Sequence, residues 1–135
     1  MTEQRECAIV GGGLASLVAY ATLRHGGITS ADIAVFGTDI DPASQWRQRA
    51  AAIRQRRMRS ESEGHCAARS FPGLAVRSAL RRKSPVPLVQ SFLDRYHPTV
   101  HEFLDHAAEV RAASGWDEGF ERMTVRRIRA VEGGF

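Results

Sequence analysis

At 135 residues the chain holds enough material for one domain with a real core. Its 43% apolar and 25% charged residues are an ordinary globular mix, and no apolar run approaches the length needed to cross a bilayer. The net charge of +4 comes almost wholly from arginine, with Lys83 the only lysine; this suits binding of polyanions but does not by itself indicate nucleic acid. Cys7 and Cys66 give neither a disulfide framework nor a metal spacing, so a reducing, cytoplasmic setting is expected. The opening Met-Thr-Glu-Gln-Arg-Glu carries both signs of charge and does not read as a signal peptide.

The first element sets the organisation of the rest. Cys7-Ala8-Ile9-Val10 is a short apolar run, followed at once by Gly11-Gly12-Gly13 and then by the apolar Leu14-Ala15-Ser16. This order predicts strand, tight turn, helix. Gly11, Gly13 and Ser16 occupy the three small-residue places of the G-x-G-x-x-G dinucleotide fingerprint. Gly11 lets the chain leave the strand sharply, Gly13 lets a pyrophosphate approach the backbone, and a small third residue lets the helix pack close. The helix N-terminus then offers unpaired N–H groups and a positive dipole end.

Leu14, Leu17, Val18 and Ala21 recur at helical spacing, which predicts a helix over residues 14–24. His25-Gly26-Gly27 stops it with glycine available for a left-handed cap. After a polar connection over residues 28–32, residues 33–36 (Ile-Ala-Val-Phe) read as a second strand, completing a βαβ unit. An acidic side chain at the end of that strand is the usual ribose ligand in such units. Here the place falls on Gly37, with Asp39 and Asp41 just beyond.

Residues 46–59 are the most basic stretch, with Arg47, Arg49, Arg54, Arg56, Arg57 and Arg59. Trp46 is its only aromatic residue, so a base-stacking nucleic-acid arm is disfavoured against a solvated, partly helical surface or a phosphate-facing connection. Residues 58–65 read as a polar loop, and the chain is expected to stay irregular to Pro87, punctuated by Pro72-Gly73, Arg81-Arg82-Lys83 and Pro85-Val86-Pro87. Residues 89–96 and 99–113 read as helices separated by His97-Pro98, the second with a stripe of Val100, Phe103, Leu104, Ala107 and Val110. Residues 123–131 read as a strand anchored on Val125 and Ile128, and Glu132-Gly133-Gly134 as a hairpin turn. A hairpin turn without its return strand suggests the front part of a longer architecture.

Two other constellations carry little. His101-Glu102-Phe103-Leu104-Asp105-His106 nearly spells the zinc-protease motif H-E-x-x-H, but on a helix its histidines lie about 140° apart and do not converge on one ion. The adjacent His65-Cys66 pair has no third group to orient it as a nucleophile.

Taken together, the glycine turn, the second strand, Trp46, the Met58-Arg59-Ser60 loop and the late helix followed by Thr124-Val125-Arg126-Arg127-Ile128 resemble the N-terminal FAD-binding part of the two-dinucleotide-binding flavoprotein superfamily. Within it the chain is most similar to flavin-dependent monooxygenases of the N-hydroxylating and Baeyer–Villiger types. The resemblance covers nearly the whole chain as one unit, residues 1–135, and implies an α/β, Rossmann-like FAD/NAD(P)-binding βαβ domain that is incomplete at its C-terminus. It implies that Gly11, Gly12, Gly13, Leu14, Ala15 and Ser16 bind the FAD pyrophosphate. It likewise places Gly37, Thr38 and Asp39 at the adenosine ribose, Trp46 and Arg47 along the cofactor, Met58, Arg59 and Ser60 near the flavin end, and the Val125 backbone at adenine.

The later strands, the NADPH domain and the residues completing a flavin pocket are lacking, so NADPH belongs to the full-length architecture and no catalytic residue is assigned. The expected function is the FAD-binding portion of an FAD/NAD(P)-dependent oxidoreductase, dependent on further chain, on a partner chain or on self-association through an open sheet edge. The alternatives are a non-catalytic nucleotide-binding module and an NAD-dependent oxidoreductase fragment. No metal and no membrane partner is expected.

Overall fold

The first strand forms where β-branched and small apolar residues alternate in exposure: Cys7 and Ile9 are half-buried and Ala8 and Val10 exposed. The computed structural model describes residues 4–58, 74–93, 96–131 and 133. Among them the fold is mixed α/β, with a small parallel three-stranded sheet and six helices. The strands are β1 (Cys7–Val10), β2 (Ile33–Gly37) and β3 (Phe120–Arg122), in spatial order β1-β2-β3. Cys7 pairs with Ile33 and Val10 with Phe36; on the other edge Val35 pairs with Phe120 and Gly37 with Arg122. The central β2 is buried at Ile33, Ala34, Val35 and Gly37, as a strand flanked on both edges must be.

Helix α1 (Leu14–His25) returns the chain from β1 to β2. Its buried face, Leu17 and Tyr20, joins Ile33, Val35 and Trp116 in the first core cluster, with Ile9, Leu23, Val110 and Phe120 packed around it. The helix ends through the expected glycine: Gly27 has φ +97°, and Gly27 N–H and Ile28 N–H donate back to Arg24 O and Leu23 O at 3.1 and 3.2 Å. Burying five such side chains stabilises the α1–sheet contact by roughly 1.5–3 kcal/mol each before conformational entropy is charged against it.

After β2 come α2 (Ser44–Ala52), α3 (Leu74–Arg82), α4 (Val86–Phe92), α5 (Val100–Ser114) and the single-turn α6 (Trp116–Gly119). A second cluster of Leu74, Ala75, Tyr96 and Phe103 gathers α3 and α5, with Leu14, Trp46, Met58, Leu88 and Leu104 against it. Helix α5 is the best-defined of these. Thr99 caps it in a reciprocal box, its hydroxyl accepting from Glu102 N–H at 3.1 Å while Glu102 accepts from Thr99 N–H at 2.9 Å. Gly115, at φ +75°, closes it.

Three expectations are corrected here. The stretch expected to be irregular to Pro87 contains α3, whose Leu74, Ala75, Ser78 and Ala79 are buried while its arginines reach α5: Arg77 pairs with Glu109, Arg81 with Glu109 at 3.2 Å, and Arg82 with Glu102 at 2.6 Å. Helix α4 begins at Val86, not at residue 89, because Pro85 and Pro87 fit a first turn whose N–H groups have no helical partner anyway. The third strand is Phe120–Arg122, not residues 123–131; residues 123–130 carry no regular element and are mostly exposed. Phe120 wins because its ring lies 5.9 Å from that of Trp116, and because Gly119 fits where a Cβ would stand 2.8 Å from both Ile33 O and the Tyr20 ring. The loop expected after Met58 and most of the expected hairpin turn lie outside the described residues. Among the described residues no helix is long and apolar enough to cross a membrane.

Candidate functional site

A cleft of about 340 Å³ opens at the C-terminal ends of all three parallel strands. Parallel strands end together because their crossovers all return the chain to the same edge, so their following loops share one rim. The β1–α1 turn contributes Gly11, Gly12 and Gly13, the end of β2 contributes Gly37, Thr38 and Asp39, and the segment after β3 contributes Met123, Thr124 and Val125.

The rim is tied together by backbone. Gly11 N–H donates to Phe36 O at 2.8 Å, and Met123 N–H donates to Gly37 O at 2.9 Å. Gly11 holds φ +112°, a conformation glycine enters without steric cost, and this lets the chain reverse into α1. Gly12 lies against β2 so closely that a Cβ on it would stand 2.9 Å from Asp39 O. Gly13 differs from both: its φ is −92°, and a Cβ added there meets nothing within 4 Å. The first turn of α1 has no side-chain cap and no acidic residue, so its leading N–H groups and dipole are not neutralised locally.

The opposite wall is a hydrogen-bonded loop. Asp41 N–H donates to Asp39 Oδ1 and Ala43 N–H to Asp41 Oδ1, each at 3.0 Å, and the buried Trp116 indole N–H donates to Ile40 O at 2.9 Å. The Ser44 hydroxyl and the Asp41 N–H hold the Asp39 carboxyl below the usual carboxylate range, so it is an anion at neutral pH. Asp39 is the one titratable group among the described residues lining the cleft.

Seven of the residues singled out from sequence meet in this cleft: Gly11, Gly12, Gly13, Gly37, Thr38, Asp39 and Val125. Ser16 sits beneath Gly11, its Oγ 3.5 Å from where a Gly11 Cβ would be, and Ala15 is exposed on α1. Others are placed elsewhere. Leu14, Trp46 and Met58 pack on the second core cluster, with the Trp46 and Phe103 ring centroids 4.8 Å apart. Arg47 pairs with Asp41 at 2.8 Å and borders a separate small cavity beside Arg111. Arg59 and Ser60 lie outside the described residues.

The sequence reading did not nominate Pro42, Ser44, Gln45, Met123 or Thr124, which also line the cleft. The available signal was Asp39-x-Asp41-x-Ala43, spacing suited to successive aspartate turns ahead of a helix. As to metals, His101 is exposed and 3.4 Å from Asp105, whereas His106 is buried. Among the described residues no three His, Cys, Asp or Glu side chains gather as a metal site.

No family model, curated protein or solved structure matches the chain.

Proposed function

We propose that the chain is the FAD-binding portion of an FAD- and NAD(P)-dependent oxidoreductase of monooxygenase-like type, with a Rossmann-like dinucleotide-binding architecture. The observation that carries the reading is the convergence of Gly11–Gly13, Gly37–Asp39 and Val125 in one cleft at the ends of parallel strands. Ligands of open parallel sheets bind in that location, where helix N-termini and strand-end loops face one space.

The residues present fit such a group. Gly13 presents bare backbone to open space, which is the cradle a pyrophosphate requires. The uncapped start of α1 supplies N–H donors to the phosphates, and the Asp39 carboxylate suits the ribose hydroxyls. Val125 would meet the adenine from the third loop. The bound flavin supplies the redox chemistry; this chain binds and orients it. The assignment to FAD and to monooxygenase-type chemistry, as against another dinucleotide, rests on the resemblance of the glycine turn, Trp46 and the Met58 loop to that superfamily.

Gly13→Glu tests the site. Position 13 has open space and an extended φ, so the variant folds, while its carboxylate projects at the phosphates. FAD affinity measured by fluorescence quenching falls at least about 100-fold. Unchanged affinity in a folded Gly13→Glu chain would overturn the assignment.

A further inference from the structure

A second concavity lies at the far end of α2, beyond the cleft. It is an open, shallow surface groove of about 750 Å³ formed by residues 53–58 and His97, most of them exposed. Its wall is held in place. Met58 N–H donates to Pro98 O at 2.9 Å, Val100 N–H donates to Arg56 O at 3.1 Å, and the Arg57 guanidinium donates to His97 O at 3.0 Å. These bonds clamp the segment against the start of α5.

The charges here are handled differently from those of α3. There Arg77, Arg81 and Arg82 each meet a carboxylate of α5. In the groove Arg54, Arg56 and Arg57 line one surface, and among the described residues no acidic residue shares the lining and none of the three is in an ion pair.

Arg54 closes α2 at the edge of this groove. It stands at φ +51°, with its N–H donating to Ala51 O at 3.0 Å and the following Gln55 N–H to Ala50 O at 2.9 Å. That is the left-handed helix-closing position glycine normally takes, and it closes α1 as Gly27. Arg54 takes that conformation at the end of α2, as Lys83 does at the end of α3 with φ +48°, and it belongs to the groove lining.

We propose that this groove binds a small molecule carrying two or more adjacent phosphate groups. Guanidinium forks match phosphate oxygens in pairs, and several of them around one concavity neutralise a clustered charge that a single arginine cannot. Ile53 and Met58 supply the apolar part of the lining. Among the described residues no Phe, Tyr or Trp lines it, which disfavours a stacking platform for nucleic-acid bases and favours a compact phosphorylated ligand.

The test is calorimetric titration of the whole chain with inorganic pyrophosphate at physiological salt, in wild type, in Gly13→Glu and in Gly13→Glu combined with the double substitution Arg54→Gly/Arg56→Gln. Glycine at 54 keeps the turn, so the double substitution leaves the melting temperature no lower than that of Gly13→Glu, checked by circular dichroism. The proposal expects a saturable site in Gly13→Glu that is weakened about tenfold or more when Arg54→Gly/Arg56→Gln are added to that background, wild type carrying this site in addition to any at the strand-end cleft. Absence of saturable binding, binding in the Gly13→Glu background that survives the double substitution, or loss in Gly13→Glu overturns it; the last places the anion in the strand-end cleft. Failure of the cleft assignment leaves this result unaffected, since pyrophosphate binding in the Gly13→Glu chain reads the groove alone.

Discussion

Gly12 and Gly37 touch backbone to backbone: a Cβ on Gly37 would stand 2.8 Å from Gly12 Cα and 2.9 Å from Gly12 N. The close approach brings the β1–α1 turn against the end of β2 and shapes the floor of the cleft between them. It also explains why the end of β2 carries no acid. A side chain at 37 has nowhere to go, and the carboxylate of the rim comes two residues later, from Asp39 in a loop held by its own turn. Gly37→Asp, which restores the customary acid of the motif, is therefore expected to destabilise the chain by about 2–4 kcal/mol in urea denaturation, through overpacking against backbone that cannot yield. A variant as stable as wild type would show that the two glycines are not in contact.

Asp39 is expected to act on the ligand more than on the fold. Asparagine at 39 keeps an acceptor for the Asp41 N–H but loses the charge. Asp39→Asn should lower the melting temperature only modestly, through weakened hydrogen bonds from Ser44 and Asp41, and weaken dinucleotide binding about tenfold. Equal affinity of the two proteins would remove Asp39 from the site.

Trp116 connects the core to the cleft. It is fully buried, its ring meets Tyr20 edge-on at 5.6 Å, and its N–H holds Ile40 O, one residue from Asp39. Trp116→Phe leaves that carbonyl without its donor and opens a cavity, at an expected cost of about 2–4 kcal/mol. Amide exchange should accelerate first in residues 38–43, ahead of β1 and β2. Uniform acceleration across the sheet would mean that the indole only fills volume.

Glu102 makes acid stability measurable at one group. Burial opposes its charge, but hydrogen bonds from the Thr99 backbone and side chain and from Arg82 outweigh it and bring the carboxyl to about 2. A folded value below the unfolded one contributes stability above the unfolded pKa, and the contribution is lost as pH falls from about 5 through about 2. Glu102→Gln should thus be clearly less stable than wild type at pH 7, with the gap closing toward pH 2. A gap that stays constant with pH would assign the loss to packing.

What the sequence made legible was local. The run from Cys7 to Gly13 states strand, turn and helix within a few residues, and the glycines that the motif requires are those that the turn uses. Helix α5 was readable for the same reason, although its start waited on the Thr99–Glu102 box. Helix α3 was hidden because its arginines look like a solvated loop; their partners Glu102 and Glu109 lie 20 or more residues away on another helix. The third strand was misplaced because Val125 and Ile128 have high β-propensity, whereas the strand is set by the Trp116–Phe120 contact and by pairing with Val35. Trp46 looked like a cofactor neighbour in sequence, and Phe103 is what its ring meets.

The most direct measurement is a visible absorption spectrum of the purified chain, taken before and after incubation with excess FAD and desalting, with Gly13→Glu alongside. Flavin absorbance retained at about one equivalent by wild type, and absent from the folded variant, is the predicted result. A wild-type chain that retains no flavin, or a Gly13→Glu chain that retains as much, would contradict the assignment of the strand-end cleft to FAD.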